Sequence, residues 1–265
     1  LFIRAVLDGK EPLTSIKSLV GDKLINPGEL EKFKPLASTV LDIDRRISQS
    51  DEYAAILRGF DGNYIRTGPS GKITRGRYDV LPSGKNFYTL DVKQLPTKAA
   101  YRVGYNLAVS VIKKHQEEEG SLPENVAIYW NCMDITCCDG EGMGQVMALM
   151  GTKPIWTSSG RVSGFEIISL EELGRPRIDV TIRIGGIMRD CFPECIYYID
   201  EVIRAIAILD ESPEQNFVKK HSLEKLKNSD NHTPGEWEEV TTRIFGSRPG
   251  TFMSGVNLAV YASSW

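Results

Sequence analysis

Three observations read this chain as an α/β protein. Between residues 123 and 212, runs of strand length and segments of helical period follow one another in the order β-α-β-β-α. That alternation favours a largely parallel sheet with helices packed on it. Ile178 to Ile184 is a β-branched run stopped by Gly185 and Gly186, the pattern of a buried strand with a defined end. A content of 41% hydrophobic and 25% charged residues across all 265 positions is that of an ordinary globular chain. The expected arrangement is a helical preface and a long ordered loop, then a largely parallel Rossmann-like or flavodoxin-like sheet flanked by helices, then a helical C-terminal extension.

The elements follow in order. Phe2, Val6 and Leu7, then Ile16, Leu19 and Val20, then Tyr53, Ile56 and Leu57 recur at spacings of three and four, so residues 1–58 are expected to form a helical N-terminal segment. From Gly59 to Pro96 the periodicity gives way to six glycines, three prolines and several aromatic residues. A loop of that length in a compact chain is functional or disordered, and its tyrosines and phenylalanines argue for order. Thr97 is a good N-cap for a helix over Lys98 to Glu119, with Ala100, Val103, Leu107, Val111 and Ile112 on one face and a stop at Gly120. Loop and helix together make up segment 59–122.

Segment 123–212 is the expected sheet domain. Asn125 to Trp130 reads as a strand, Gly142 to Met150 as a helix closed by Gly151, and Lys153 to Trp156 with Gly164 to Ile168 as a strand and an excursion. After the strand at Ile178 to Ile184 come Arg189, Asp190, Phe192 and Pro193, then a helix from about Glu194, reaching from Cys195 to Leu209. Segment 213–265 holds a polar helix around Glu214 to Lys227, a soft spot at Asn228 to Pro234, and a tail with NLAV near its end.

Composition excludes several classes of function. A net charge of −3 with both signs interspersed offers no basic face for nucleic acid. No apolar stretch approaches the ~20 residues needed to span a bilayer, so no membrane span is expected. The opening LFIRAVLDGKEPL lacks the basic-then-apolar layout of a signal peptide. Five cysteines, an odd number, fit a reducing compartment better than a disulfide framework, and a cytoplasmic location is expected. A first residue of Leu and an apolar-rich ending at Trp265 suggest an excerpt from a longer polypeptide.

In open α/β sheets ligands bind outside the carboxyl ends of the strands. Cys132, Asp134, Cys137, Cys138, Asp139 and Glu141 follow one strand, and Arg189, Asp190, Cys191 and Cys195 follow the other. If the strands are parallel, both sets face one crevice. Cys132 and Cys191 are then candidate ligands for a borderline divalent metal, although C-x4-C-C with C-x3-C matches no closed zinc site and small thiols also simply pack near strand ends. Arg189 and Asp190 are open to two readings, a ligand-facing pair or a helix-entry ion pair with Asp190 as a cap. His221 shares a helical face with Phe217 and is a candidate acid, base or metal ligand, or else a histidine packed at a domain seam. His115 and His232 are expected to face solvent.

The glycine-rich stretches are not phosphate loops. GPSGKI at Gly68 to Ile73 and SGKN at Ser83 to Asn86 lack both the upstream glycine and the Ser or Thr after the lysine. Gly140, Gly142 and Gly144 follow a strand with G-x-G-x-G spacing, which is not the dinucleotide fingerprint.

Taken in order, several segments resemble the large subunit of the magnesium and cobalt chelatases, which insert a metal into a tetrapyrrole. They are RGFDGNYIRTGPSG at Arg58 to Gly71, VLPSGKNFY at Val80 to Tyr88, LPTKAA at Leu95 to Ala100, and LEELGRPRIDVTIRIGGIMRDCFP at Leu170 to Pro193. EQNFVKKH at Glu214 to His221, TRIFGSRPGTF at Thr242 to Phe252 and NLAVYASSW at Asn257 to Trp265 continue the series. The resemblance implies a ligase that forms nitrogen–metal bonds, with cobalt or magnesium and the ring as substrates and no tightly bound cofactor. ATP would be used by separate AAA+ motor subunits, in keeping with the missing P-loop. It also implies that Gly68, Pro69, Gly71, Gly84 and Asn86 line the substrate cavity, with Tyr64, Tyr78, Phe87 and Tyr88 offering aromatic faces, and that Arg189, Asp190 and His221 border the ring or metal as catalytic candidates. The alternative is a scaffold that docks the motor subunits without taking part in chemistry.

The chain departs from the family pattern in three places. Trp130, Asn131 and Cys132 stand where a Trp-Gly-Thr-like turn is usual, and GPSGKIT stands where GPGGDP is usual. The His-Gly-x-x-Glu motif that the resemblance associates with metal insertion is absent, since no His-Gly pair occurs. The stretch is therefore expected to be inactive by itself.

Overall fold

The computed structural model describes residues 2–11, 14, 33–71, 73–87, 90–227, 235–251 and 260–262. Ile16, Leu19, Val20, Tyr88, His232, the soft spot at 228–234 and most of the NLAV tail lie outside these residues. By contacts the chain divides into two compact units, Leu1–Leu90 and Asp91–Trp265, where the sequence pattern suggests four segments.

The first unit carries helices α1 (Phe2–Leu7), α2 (Phe33–Ser48) and α3 (Glu52–Phe60). Asp51 starts α3 because its carboxylate accepts the Ala54 backbone N–H at 2.9 Å. The long loop that follows is ordered by short elements: β1 (Thr67–Gly68) pairs in parallel with β2 (Asn86–Phe87), with single 3-10 turns at Ile73–Arg75 and Tyr78–Val80 between them.

The second unit begins with α4 (Lys98–Glu119), bounded as its capping residues predict. The Thr97 side chain accepts the Ala100 N–H, and Gly120 closes the helix at φ +73°. After it come β3 (Asn125–Trp130), α5 (Cys132–Cys138), α6 (Glu141–Met150), β4 (Thr152–Trp156), β5 (Val162–Ile167), α7 (Leu170–Leu173), β6 (Asp179–Ile184), α8 (Gly186–Cys191), α9 (Pro193–Ala207), α10 (Phe217–Lys227), α11 (Glu236–Thr241) and β7 (Ile244–Phe245). The main sheet has three strands in the order β3-β6-β7, all parallel. The excursion is an antiparallel hairpin of β4 and β5, forming a sheet of its own within the crossover from β3 to β6. Central β6 shows the alternation of a core strand, with Ile178, Val180, Ile182 and Ile184 at 0 to 4% exposure.

The inward face of α4 differs from the one predicted. Ala100, Gly104, Ala108 and Ile112 are buried, while Val103 and Leu107 remain 39% and 42% exposed. The reason is a close helix crossing: a Cβ on Gly104 would stand 2.4 Å from Gln145 N and Glu141 O, and one on Gly144 would stand 2.8 Å from Tyr101 Cα. Backbones touch there, so the four-residue row of small side chains wins over the row of large ones.

Arg175 and Arg177 explain how α6 ends. The last carbonyls of a helix lack intrahelical donors. Arg175 donates to the Ala148 and Leu149 carbonyls at 2.6 and 2.9 Å, and Arg177 donates to those of Met150 and Gly151 at 3.1 Å each. Arg177 also forms a bidentate pair with Glu211 at 2.8 to 3.0 Å, so its buried charge is matched.

Candidate functional site

β3 and β6 are paired in register from Asn125↔Asp179 to Trp130↔Ile184, so the two strands end side by side. Each then passes directly into a helix. Asn131 caps α5 by accepting the Met133 N–H at 2.9 Å, and Gly185 precedes α8. A cleft of about 250 Å³ opens between these exits, lined by Tyr129, Asn131 and Cys132 on one side and by Gly185 to Met188 on the other. The crevice expected at the carboxyl ends of parallel strands is therefore present. Its walls are mainly apolar, and Tyr129 and Ile187 remain 55% and 41% exposed.

Asp134 braces this edge. Its carboxylate accepts the Trp130 indole N–H at 2.9 Å and the backbone N–H groups of Gly142 and Met143 at 2.7 and 3.2 Å. It thus caps α6, whose own N-cap, Gly140, has no side chain to offer. Burial raises its pKa despite those three donors. The sequence places Asp134 among the converging acids, whereas its role as a remote cap depends on a turn that brings Gly142 back to it. Gly142 leaves room for this, since a Cβ there would sit 3.0 Å from an Asp134 oxygen.

All five cysteines are free thiols. Cys132 lines the cleft and donates to Asn131 Oδ1 at 3.2 Å. Burial raises its pKa, and the nearby Cys191 and Cys137 thiols add to the shift. Cys191 is exposed at the end of α8, while Cys195 is buried, with a pKa pushed up to about 12 by desolvation. Among the described residues, no group of three or more His, Cys, Asp or Glu side chains is placed to hold a metal ion.

Arg189 and Asp190 sit on α8, a short helix where the sequence suggests a loop. Arg189 donates to both oxygens of Asp190 at 2.6 and 2.7 Å, and its terminal nitrogens also reach the Ser247, Arg248 and Thr251 carbonyls at 2.6, 2.8 and 3.4 Å. The pair therefore ties the segment after β7 to α8. Asp190 caps no helix, since α9 has no side-chain cap, and Arg189 holds its carboxyl below the usual carboxylate range.

His221 is not brought together with them. Its Nδ1 lies 2.7 Å from Asp179 Oδ2 and its Nε2 lies 3.4 Å from Glu124. Asp179 opens β6, and Arg189 lies beyond the other end of that strand. The five steps between Asp179 and Ile184 span about 16 Å at ~3.3 Å per residue. His221 belongs to a network at the amino edge, where buried Arg243 donates to Asp179 at 2.8 and 3.0 Å and Lys220 pairs with Glu124 at 2.7 Å. The hydrogen bond to Asp179 is the main cause of its raised pKa.

The glycine-loop candidates all fall in the first unit. Gly68 and Asn86 stand on the paired strands β1 and β2, Pro69 directly follows β1, and Gly84 turns the chain into β2 with φ +77°. Gly71 is packed against Arg77 and Val80, with 3.0 and 3.2 Å to their carbons from a Cβ position.

Fold and cleft together define an α/β protein with an open cleft at the carboxyl ends of its parallel strands. The profile described as CobN/Magnesium Chelatase matches residues 4–265, and the chain belongs to that family. An uncharacterized protein of Methanocaldococcus jannaschii is 53% identical over 251 residues, covering 95% of this chain and 20% of that protein. The aerobic cobaltochelatase subunit CobN of Sinorhizobium sp is 34% identical over 243 residues, covering 90% of this chain and 18% of that subunit. The solved structure of the catalytic subunit of cobaltochelatase from Mycobacterium tuberculosis superposes with a TM-score of 0.81 at 33% identity, over 99% of this chain and 21% of that one. The chain thus spans about a fifth of the length of the relatives it matches.

Proposed function

We propose that this chain is part of the large subunit of an ATP-dependent metal chelatase that inserts cobalt or magnesium into a tetrapyrrole. In this reading the cleft between the β3 and β6 exits forms part of the ring and metal cavity. The observation that carries the reading is 33% identity at a TM-score of 0.81 to a cobaltochelatase catalytic subunit across 99% of the chain. The cleft supports it, because exposed Tyr129 and Ile187 offer apolar surface to a flat ring and Gly185 and Gly186 let it approach the backbone.

Insertion exchanges two pyrrolic protons for one divalent ion, so the cavity must desolvate the metal and accept protons. Cys132 is the thiol at the cleft, and sulfur there favours cobalt over magnesium. Burial holds it as a thiol, so binding would release its proton. Arg189 and Asp190 act as positioning residues for the segment at 247–251. AAA+ motor subunits would supply ATP hydrolysis, since this chain has no P-loop.

The test is fluorescence titration of a metal-free tetrapyrrole into the full-length protein and into Tyr129→Ala and Ile187→Arg variants. Both residues are exposed, so the fold is expected to survive. Ring affinity should fall by about tenfold or more. Unchanged affinity and an unchanged insertion rate in both variants would remove the cleft from the substrate path.

A further inference from the structure

The first unit contains a cavity with unbalanced charge. It measures about 340 Å³ and is bounded by Arg58, Arg66 and Lys85 together with Asp51, Tyr64 and Ser83. Among the described residues, none of the three cations has an ion-pair or side-chain hydrogen-bond partner. Asp51 also lines the cavity, where its carboxylate caps α3 through the Ala54 N–H, and Glu52 accepts the Ser83 hydroxyl.

Two of the loop glycines seat Lys85. A Cβ on buried Gly68 would lie 2.7 Å from Lys85 Cδ, so it is the missing side chain that lets the lysine stem lie against β1. Gly84 adopts φ +77° immediately before Lys85, and a Cβ there would lie 2.6 Å from the Asp51 carbonyl oxygen. The two glycines thus leave room for the lysine stem and its turn, and the ammonium keeps its charge unspent. Three cations gathered around one cavity repel each other until an anion arrives. Guanidinium forks bind carboxylates in a bidentate manner, and an ammonium adds a point charge. The volume falls within the ~300–1,000 Å³ usual for small-molecule sites, which leaves room for a carboxyalkyl arm.

We propose that Arg58, Arg66 and Lys85 form a carboxylate subsite that takes acidic side chains at the rim of the tetrapyrrole. The proposal rests on the tetrapyrrole reading above and adds to it a carboxylate contact made within the first unit, where the absent side chains of Gly68 and Gly84 make room for the cation.

The experiment titrates the full-length protein with a carboxylated metal-free porphyrin and, separately, with its methyl ester, following fluorescence quenching. The wild type should bind the acid about tenfold or more tightly than the ester, and the preference should shrink as salt rises. The Arg58→Ala/Arg66→Ala/Lys85→Ala variant should lose the preference and bind the ester as before. Lys85→Glu, a single charge reversal, should weaken the acid alone. If the wild type binds acid and ester equally, or the triple variant keeps the preference, the subsite is overturned while the tetrapyrrole reading stands. If the wild type binds neither ring, the tetrapyrrole reading falls and the subsite with it. Inorganic phosphate binding that the triple variant loses, without any preference for acid over ester, marks a phosphate site and also overturns the proposal.

Discussion

Replacing Arg177 with Met removes a charge that is 1% exposed and holds three parts of the second unit together. Arg177 donates to both Glu211 oxygens, to the Met150 and Gly151 carbonyls at the end of α6, and to the Ile168 carbonyl at 2.7 Å. Met fills most of the volume but satisfies none of these acceptors. The Glu211 side chain, at 14% exposure, would keep a charge with, among the described residues, only the Asn216 amide left to donate, at 3.0 Å. Breaking one partner out of a buried pair costs about 3–5 kcal/mol, a large fraction of the ~5–15 kcal/mol that holds a domain folded. The first unit holds no tryptophan, whereas Trp130, Trp156 and Trp237 lie in the second, so in this 265-residue stretch studied by itself tryptophan emission during denaturant unfolding reports on the second unit. The expected result is a transition displaced by that amount in Arg177→Met. Adding Glu211→Gln to it should recover part of the loss, because the stranded charge is gone. A loss below about 1 kcal/mol, or strictly additive behaviour of the pair, would refute the claim that these bonds hold the end of α6.

Three further outcomes follow from the same contacts. His221 has a pKa raised above its ordinary 6.5 by its bond to Asp179, so its contribution to stability is complete below that value and disappears as pH climbs through the folded-state pKa. The stability gap between wild type and His221→Gln should therefore narrow from pH 6 to pH 8, and a gap that widens contradicts the assignment. Gly104→Ala should destabilise the second unit by about 1–3 kcal/mol or more, since its Cβ would meet backbone atoms at 2.4 Å; a neutral Ala would mean that α4 and α6 do not cross so closely. In alkylation followed by peptide mapping at neutral pH, exposed Cys191 should react first and Cys195, pushed up to about 12, only on unfolding. Early labelling of Cys195 would contradict its burial.

Much of the fold is legible in the sequence because local rules decide it. Thr97 and Gly120 mark both ends of α4, the strand at Asn125 to Trp130 has the expected bounds, and Gly151 closes α6. Elements read less clearly where tertiary contacts choose among local options. Residues 132–138 and 186–191 lack a full helical period in sequence, yet each forms a short helix fed by a parallel strand. The two residues of β7 become a strand by pairing with β6 at Ile182 and Arg183. On α4, apolar pattern alone selects Val103 and Leu107, while the contact belongs to Gly104 and Gly144.

The same division holds for the site. The sequence by itself determined that two chemically rich segments follow two strands, because strand period, glycine stops and charged residues are local signals, and it carried enough ordered motifs to show the resemblance to metal chelatases. Only the tertiary structure decided which of those residues share a place. In-register pairing of β3 and β6 puts Cys132 and Gly186 at one cleft, while the length of β6 sends His221 to the opposite edge. Hydrogen bonds to distant backbone groups make Asp134, Arg175, Arg177 and Arg189 caps and clamps. Their partners are backbone groups brought close by folding, and a backbone group leaves no mark in the sequence.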